Sequence, residues 1–100
     1  MNRNFVERQI EWYKKQIEHN TEDISFINYE LKKSRDEDTK IKEHVWSKGV
    51  ITELDMKIFG SEYVGSRTKK LLEERSRAYR IRKNNGNWLR KYEEYLEQYV

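Results

Sequence analysis

A metal site, an activated nucleophile or a phosphate cradle each demands certain residues at certain spacings, and few residues of this sequence could meet such a demand. His19 and His44 stand far apart, and neither has a second ligand at a metal-type interval. Asp36 and Asp38 alternate as in a calcium loop but lack its central glycine and terminal glutamate. Ser61 and Ser66 have no recognisable base, no glycine-rich run is placed to hold phosphates, and there is no cysteine. The expectation is a protein that is not an enzyme and that needs no metal or cofactor.

The cations are distributed with more purpose. Residues 1–65 carry 11 Lys/Arg against 13 Asp/Glu, residues 66–91 carry 10 against 2, and residues 92–100 carry none against 3. A solvated helix face interleaves the two signs, whereas a block of one sign is the electrostatic footprint expected for phosphates. The densest part, RIRKNNGNWLRKY from Arg80 to Tyr92, contains Asn85-Gly86, the dipeptide best suited to a two-residue hairpin turn. Strand alternation about that turn sorts Tyr79, Ile81, Trp88 and Tyr92 onto one face and Arg80, Arg82 and Lys91, with Leu89, onto the other. A helix through the same residues would hold Asn84, Asn85, Gly86 and Asn87 in its middle, where they are poor formers. The reading is a β-hairpin with one packing face and one cationic face.

The elements that position this block are mainly helical. With 35% hydrophobic residues and a mean hydropathy of −1.19, the chain has only a thin core. No apolar run is long enough to span a bilayer or to serve as a signal peptide, so a soluble cytoplasmic protein with no membrane partner is expected. Enrichment in Lys, Glu, Asn, Ile and Tyr points to an AT-rich source, such as a bacterium or its phages. Val6, Ile10, Tyr13, Ile17, Asn20, Ile24, Ile27 and Leu31 follow one another in strict heptad spacing with no Gly or Pro before Gly49, which predicts a coiled-coil-like helix over 1–35 that joins two copies. The alternative is a helical hairpin turning near His19-Asn20-Thr21, although a turn has no reason to preserve heptad phase. Phe5, Trp12 and Phe26 widen the apolar stripe, so the helix is expected to pack on its own C-terminal domain as well.

Ser34–Thr39 reads as a boundary, with Asp38 or Thr39 capping a further helix that Gly49 closes. Thr52 is the expected N-cap of a short helix with Leu54, Ile58 and Phe59 on its apolar side, stopped by Gly60. In the segment that follows, Val64, Thr68, Leu71 and Leu72 gather on one side of a helical wheel. Glu62, Ser66, Lys69, Lys70 and Glu73 lie opposite, with Tyr63 and Arg67 at the edge. A short helix, a glycine turn and a second helix describe a helix-turn-helix, in which the second helix enters the major groove.

From Ile41 to Tyr92 the chain resembles the small winged helix-turn-helix domain of bacteriophage and prophage genomes. The matching residues are Gly49, Ile51-Thr52, Leu54, Phe59-Gly60, Val64, Arg67, Leu71, Ile81, Gly86 and Tyr92. It departs from the pattern at Asp55-Met56, at Thr68 and at Arg75-Ser76-Arg77. The resemblance implies a winged helix over 39–92 with one β-hairpin, followed by a short C-terminal helix over 93–100, in a DNA-binding protein. The expected function is double-stranded DNA binding by a homodimeric regulator or excisionase-like factor. The expected contacts are Tyr63, Ser66, Arg67, Lys69 and Lys70 from the recognition helix and Arg80, Arg82, Lys83, Asn85 and Lys91 from the wing. The alternative function is a phage-encoded inhibitor that binds a host nuclease or other nucleic-acid-handling defence protein, as anti-CRISPR proteins do, with Trp12, Phe26, Tyr95 and Tyr99 as anchors.

Overall fold

The computed structural model of the chain describes residues 2–60 and 63–98, so Ser61, Glu62 and Tyr99 lie outside the described residues. Among the described residues there are three helices: α1, Arg3–Trp46; α2, Glu53–Ile58; and α3, Ser66–Glu97.

Helix α1 is a single element of 44 residues, and neither the turn near His19-Asn20-Thr21 nor the break at Ser34–Thr39 is present. Asn2 opens it, accepting the N–H of Asn4 on its side-chain oxygen at 2.7 Å. It passes through Ser34–Thr39 because that polar stretch has partners of its own. Ser34 is buried and shares a hydrogen bond with Thr68, while Asp38 accepts from the N–H of Gly65 at 3.2 Å and from the Thr68 hydroxyl at 2.6 Å. Gly49, at φ +85°, ends the turn after α1 in a conformation that residues with a Cβ rarely adopt.

The short α2 begins as its sequence predicts. The Thr52 hydroxyl accepts from the N–H of Asp55 at 3.1 Å, and the Asp55 carboxylate accepts in return from the N–H of Thr52 at 3.1 Å, a reciprocal capping box. These hydrogen bonds, aided by nearby Lys48, hold the Asp55 carboxyl below its ordinary pKa.

Helix α3 overturns the winged-helix reading. Arg80–Tyr92 is helical throughout, no strand is present among the described residues, and Asn85-Gly86 lies in mid-helix instead of in a turn. The wing assigned to Arg80, Arg82, Lys83, Asn85 and Lys91 therefore does not exist, and the domain resemblance fails with it. The reason is a second heptad seam: Thr68, Leu71, Arg75, Ala78, Arg82, Asn85, Leu89, Tyr92 and Leu96 follow one another at alternating spacings of three and four, and all are buried or half-buried. Glycine in a helix interior costs about 1 kcal/mol relative to alanine, and asparagine somewhat less. Pairing along the whole seam offsets that local cost.

Two compact units result, one formed by residues up to 26 with those from 75 onward, the other by residues 27–74. In the first, α1 and α3 lie antiparallel, as the contacts Phe5–Tyr92 (6.3 Å between ring centres), Asn20–Asn85 (2.8 Å) and Thr21–Arg82 (3.5 Å) show. Val6, Ile10 and Ile24 are buried there. Among the described residues of the second, Leu31, Val45, Ser34 and Thr68 are buried. The whole seam predicted to join two copies, Val6, Ile10, Tyr13, Ile17, Asn20, Ile24, Ile27 and Leu31, is thus buried or half-buried within one chain.

Candidate nucleic-acid interface

A helix whose inward rows are known has its outward rows fixed by the 3.6-residue repeat. On α3 the rows opposite the seam carry Arg77, Arg80, Lys83, Asn84, Asn87, Arg90 and Lys91, all exposed. Between Arg75 and Tyr92 there are seven cations and no acid. Arg80, Lys83, Asn87 and Arg90 form one stripe at spacings of three, four and three, about 15 Å long at 1.5 Å per residue. Among the described residues, Arg77, Arg80, Lys83 and Arg90 take part in no ion pair.

That arrangement works against the helix that bears it. Arg77–Arg80 and Arg80–Lys83 are like-charge neighbours one turn apart, and such pairs destabilise a helix by a few tenths of a kcal/mol each. A polyanion in contact with the stripe would reverse the sign of that interaction. Asn87, standing between Lys83 and Arg90, has the paired donor and acceptor that read an adenine edge, and arginines beside it suit phosphates and guanine edges.

Other residues expected at the interface have different employment. Arg67 is held by Glu30 at 2.6 Å and Glu37 at 3.7 Å. Arg82 turns inward, its guanidinium 3.5 Å from the Thr21 hydroxyl and 5.1 Å from the centre of the Tyr79 ring. The side-chain amide of Asn85 donates to that of Asn20 in the seam. Tyr63 is half-buried beside Phe59, their ring centres 5.0 Å apart. Lys91 is exposed and lies 4.6 Å over the Trp88 ring. Ser66, Lys69 and Lys70 are exposed in the first turns of α3, in the 27–74 unit. Arg77, Asn87 and Arg90 were missed by sequence reasoning, and the signal that would have found them is the heptad phase shared by Leu71, Ala78, Leu89, Tyr92 and Leu96.

Among the described residues no three His, Asp or Glu side chains gather to hold a metal ion, and no helix is long and apolar enough to cross a membrane. Comparison with protein families, with curated proteins and with solved structures finds no match to this chain.

Proposed function

We propose that this chain is a non-enzymatic protein that binds double-stranded DNA through the outer face of α3. The observation that carries the reading is the acid-free run from Arg75 to Tyr92, in whose exposed stripe of Arg80, Lys83, Asn87 and Arg90 no cation takes part in an ion pair among the described residues. A single helix fits the major groove, which is about 12 Å wide, and it needs no wing to do so. Phosphate neutralisation supplies the affinity, and Asn87 with its neighbouring arginines supplies what base preference there is.

The test is a salt titration of binding to a labelled duplex of 20 base pairs. Arg80→Ala, Lys83→Ala and Arg90→Ala should each lower the slope of log affinity against log salt by about 0.9 for every phosphate left without its cation. Arg67→Ala should leave the slope unchanged, because Glu30 and Glu37 already hold that guanidinium. Equal slopes for all four variants, or no duplex binding at physiological salt, would defeat the proposal.

A second reading, capture of a host protein, draws support from the exposed Trp12 and Phe26. It predicts tight binding to one protein and none to the duplex.

A further inference from the structure

The two flanks of the helix pair formed by residues up to 26 and from 75 onward differ in chemistry. One flank carries Phe5, Trp12 and Phe26 from an outer row of α1 and Ile81, Trp88 and Tyr95 from the row beside the α3 seam, all exposed. The rings are in contact: Tyr92 touches Phe5, Tyr13, Trp88 and Tyr95, with centres 5.8 to 6.3 Å apart, and Tyr13 touches Trp12 at 4.8 Å. Trp12 remains 50% exposed and Trp88 47%, although tryptophan gains most from burial. Scattered apolar residues on a surface need no explanation, but a connected group does.

We infer that the aromatic flank is the surface on which a second copy of the chain docks, with α1 of each protomer lying over α3 of the other. Two two-helix layers then close into a four-helix arrangement that buries both aromatic flanks. The exposed charges on this flank include Asp23 from α1 and Arg77 and Lys91 from α3. Asp23, on α1, and Arg77, on α3, are exposed, lie at the same end of the pair, and have no ion-pair partner among the described residues. A two-fold axis that sets α1 on α3 brings Asp23 of each protomer towards Arg77 of the other, as an isologous interface requires. Arg80, Lys83 and Arg90 point away from the flank, so the pairing leaves the cationic stripe open.

Sedimentation of the full chain at 1–100 µM tests the inference, with circular dichroism as a check on folding. The protein should sediment as a dimer, and Trp12→Glu or Trp88→Glu should weaken the dimer by roughly 30-fold or more, the range of a buried aromatic anchor. Asp23→Arg or Arg77→Asp alone should weaken it about two- to five-fold, as rim charges do, and the two together should restore it. Those charge variants keep the test decisive even where a tryptophan variant loses helicity. A chain monomeric to 100 µM overturns the inference, and so does a dimer indifferent to both tryptophans. A dimer abolished by the tryptophan variants yet unmoved by the charge reversals overturns the pairing of α1 with α3. A monomer whose tryptophan fluorescence is quenched by an oligonucleotide, or by a host protein, gives the flank to that partner instead.

Discussion

The two units use one heptad register on two very different sets of side chains. At the same flanking heptad positions, the 27–74 unit carries Glu30, Glu37 and Arg67, the arginine paired with both glutamates, whereas the other unit carries Trp88 and Tyr95 beside the exposed Phe5 and Trp12. The seams differ as well. Between Ser34, Asp38 and Thr68 every hydroxyl and carboxylate has a partner, and among the described residues no buried side-chain polar atom is left unsatisfied. In the other unit the polar contacts at the seam include Asn20–Asn85 and Thr21–Arg82, set among tyrosines and aliphatic residues. A flank closed by ion pairs is finished within the chain. An aromatic flank that stays wet offers its binding energy to something else.

The largest test of this contrast is Leu31→Ala in the 27–74 unit. Leu31 is 2% exposed, and its truncation should lower unfolding stability by about 2–5 kcal/mol in urea titrations followed by circular dichroism. A loss below about 1 kcal/mol would mean that this unit is not held by its own core. Next comes Asp38→Ala, which strands the Gly65 N–H and removes an acceptor from Thr68, and should cost about 1–3 kcal/mol. Gly65→Ala should act through the same groups, because a Cβ there would run into the Asp38 carboxylate. If Gly65→Ala is harmless while Asp38→Ala is not, the close approach of that carboxylate is not needed.

A smaller effect is expected in the aromatic unit. Asn20→Ala alone should cost about 1 kcal/mol by leaving Asn85 short of a partner, whereas Asn20→Leu with Asn85→Leu should be near neutral or stabilising. A double variant as destabilised as the single one would show that the pair contributes more than satisfaction of two amides. The smallest effect concerns pH and α2. The folded pKa of Asp55 is depressed, so its contribution is present above the unfolded carboxylate value, about 3.9, and is lost as pH falls through the lower folded value. Asp55→Asn should therefore lower stability slightly at neutral pH and flatten the acid limb, read as melting temperature between pH 6 and 2. An unchanged acid limb would leave the capping box without energetic consequence.

Much of α1 could be read from residue order alone, because a heptad pattern free of Gly and Pro specifies a helix and its buried stripe whatever covers that stripe. The Thr52 cap and the stop at Gly49 were equally legible, since each depends on neighbours within three or four positions. What covers the stripe was not legible. Ile10, Ile17 and Ile24 at successive heptad positions are as compatible with a second copy as with α3 of the same chain, and the choice depends on residues some sixty positions away. The polar stretch Ser34–Thr39 looked like a break for the same reason: Thr68 and Gly65, the groups that satisfy Ser34 and Asp38, are about thirty residues distant in sequence.

At Asn84-Asn85-Gly86-Asn87 local and global preferences conflict most plainly. Locally these residues favour a turn, and a turn there would have faced the cations as a hairpin. In the folded chain Asn85 meets Asn20, Leu89 and Tyr92 continue the seam, and the same cations stand in rows along a helix. Residue order was enough to make the chain largely helical, to place its first helix and to gather its positive charge in one quarter of its length. Packing of one helix on another was needed to make α3 continuous, and to settle which cations it exposes and which it holds inward. Intrinsic helix preferences amount to about 1 kcal/mol or less per residue, and a seam of contacts with a second helix outweighs them.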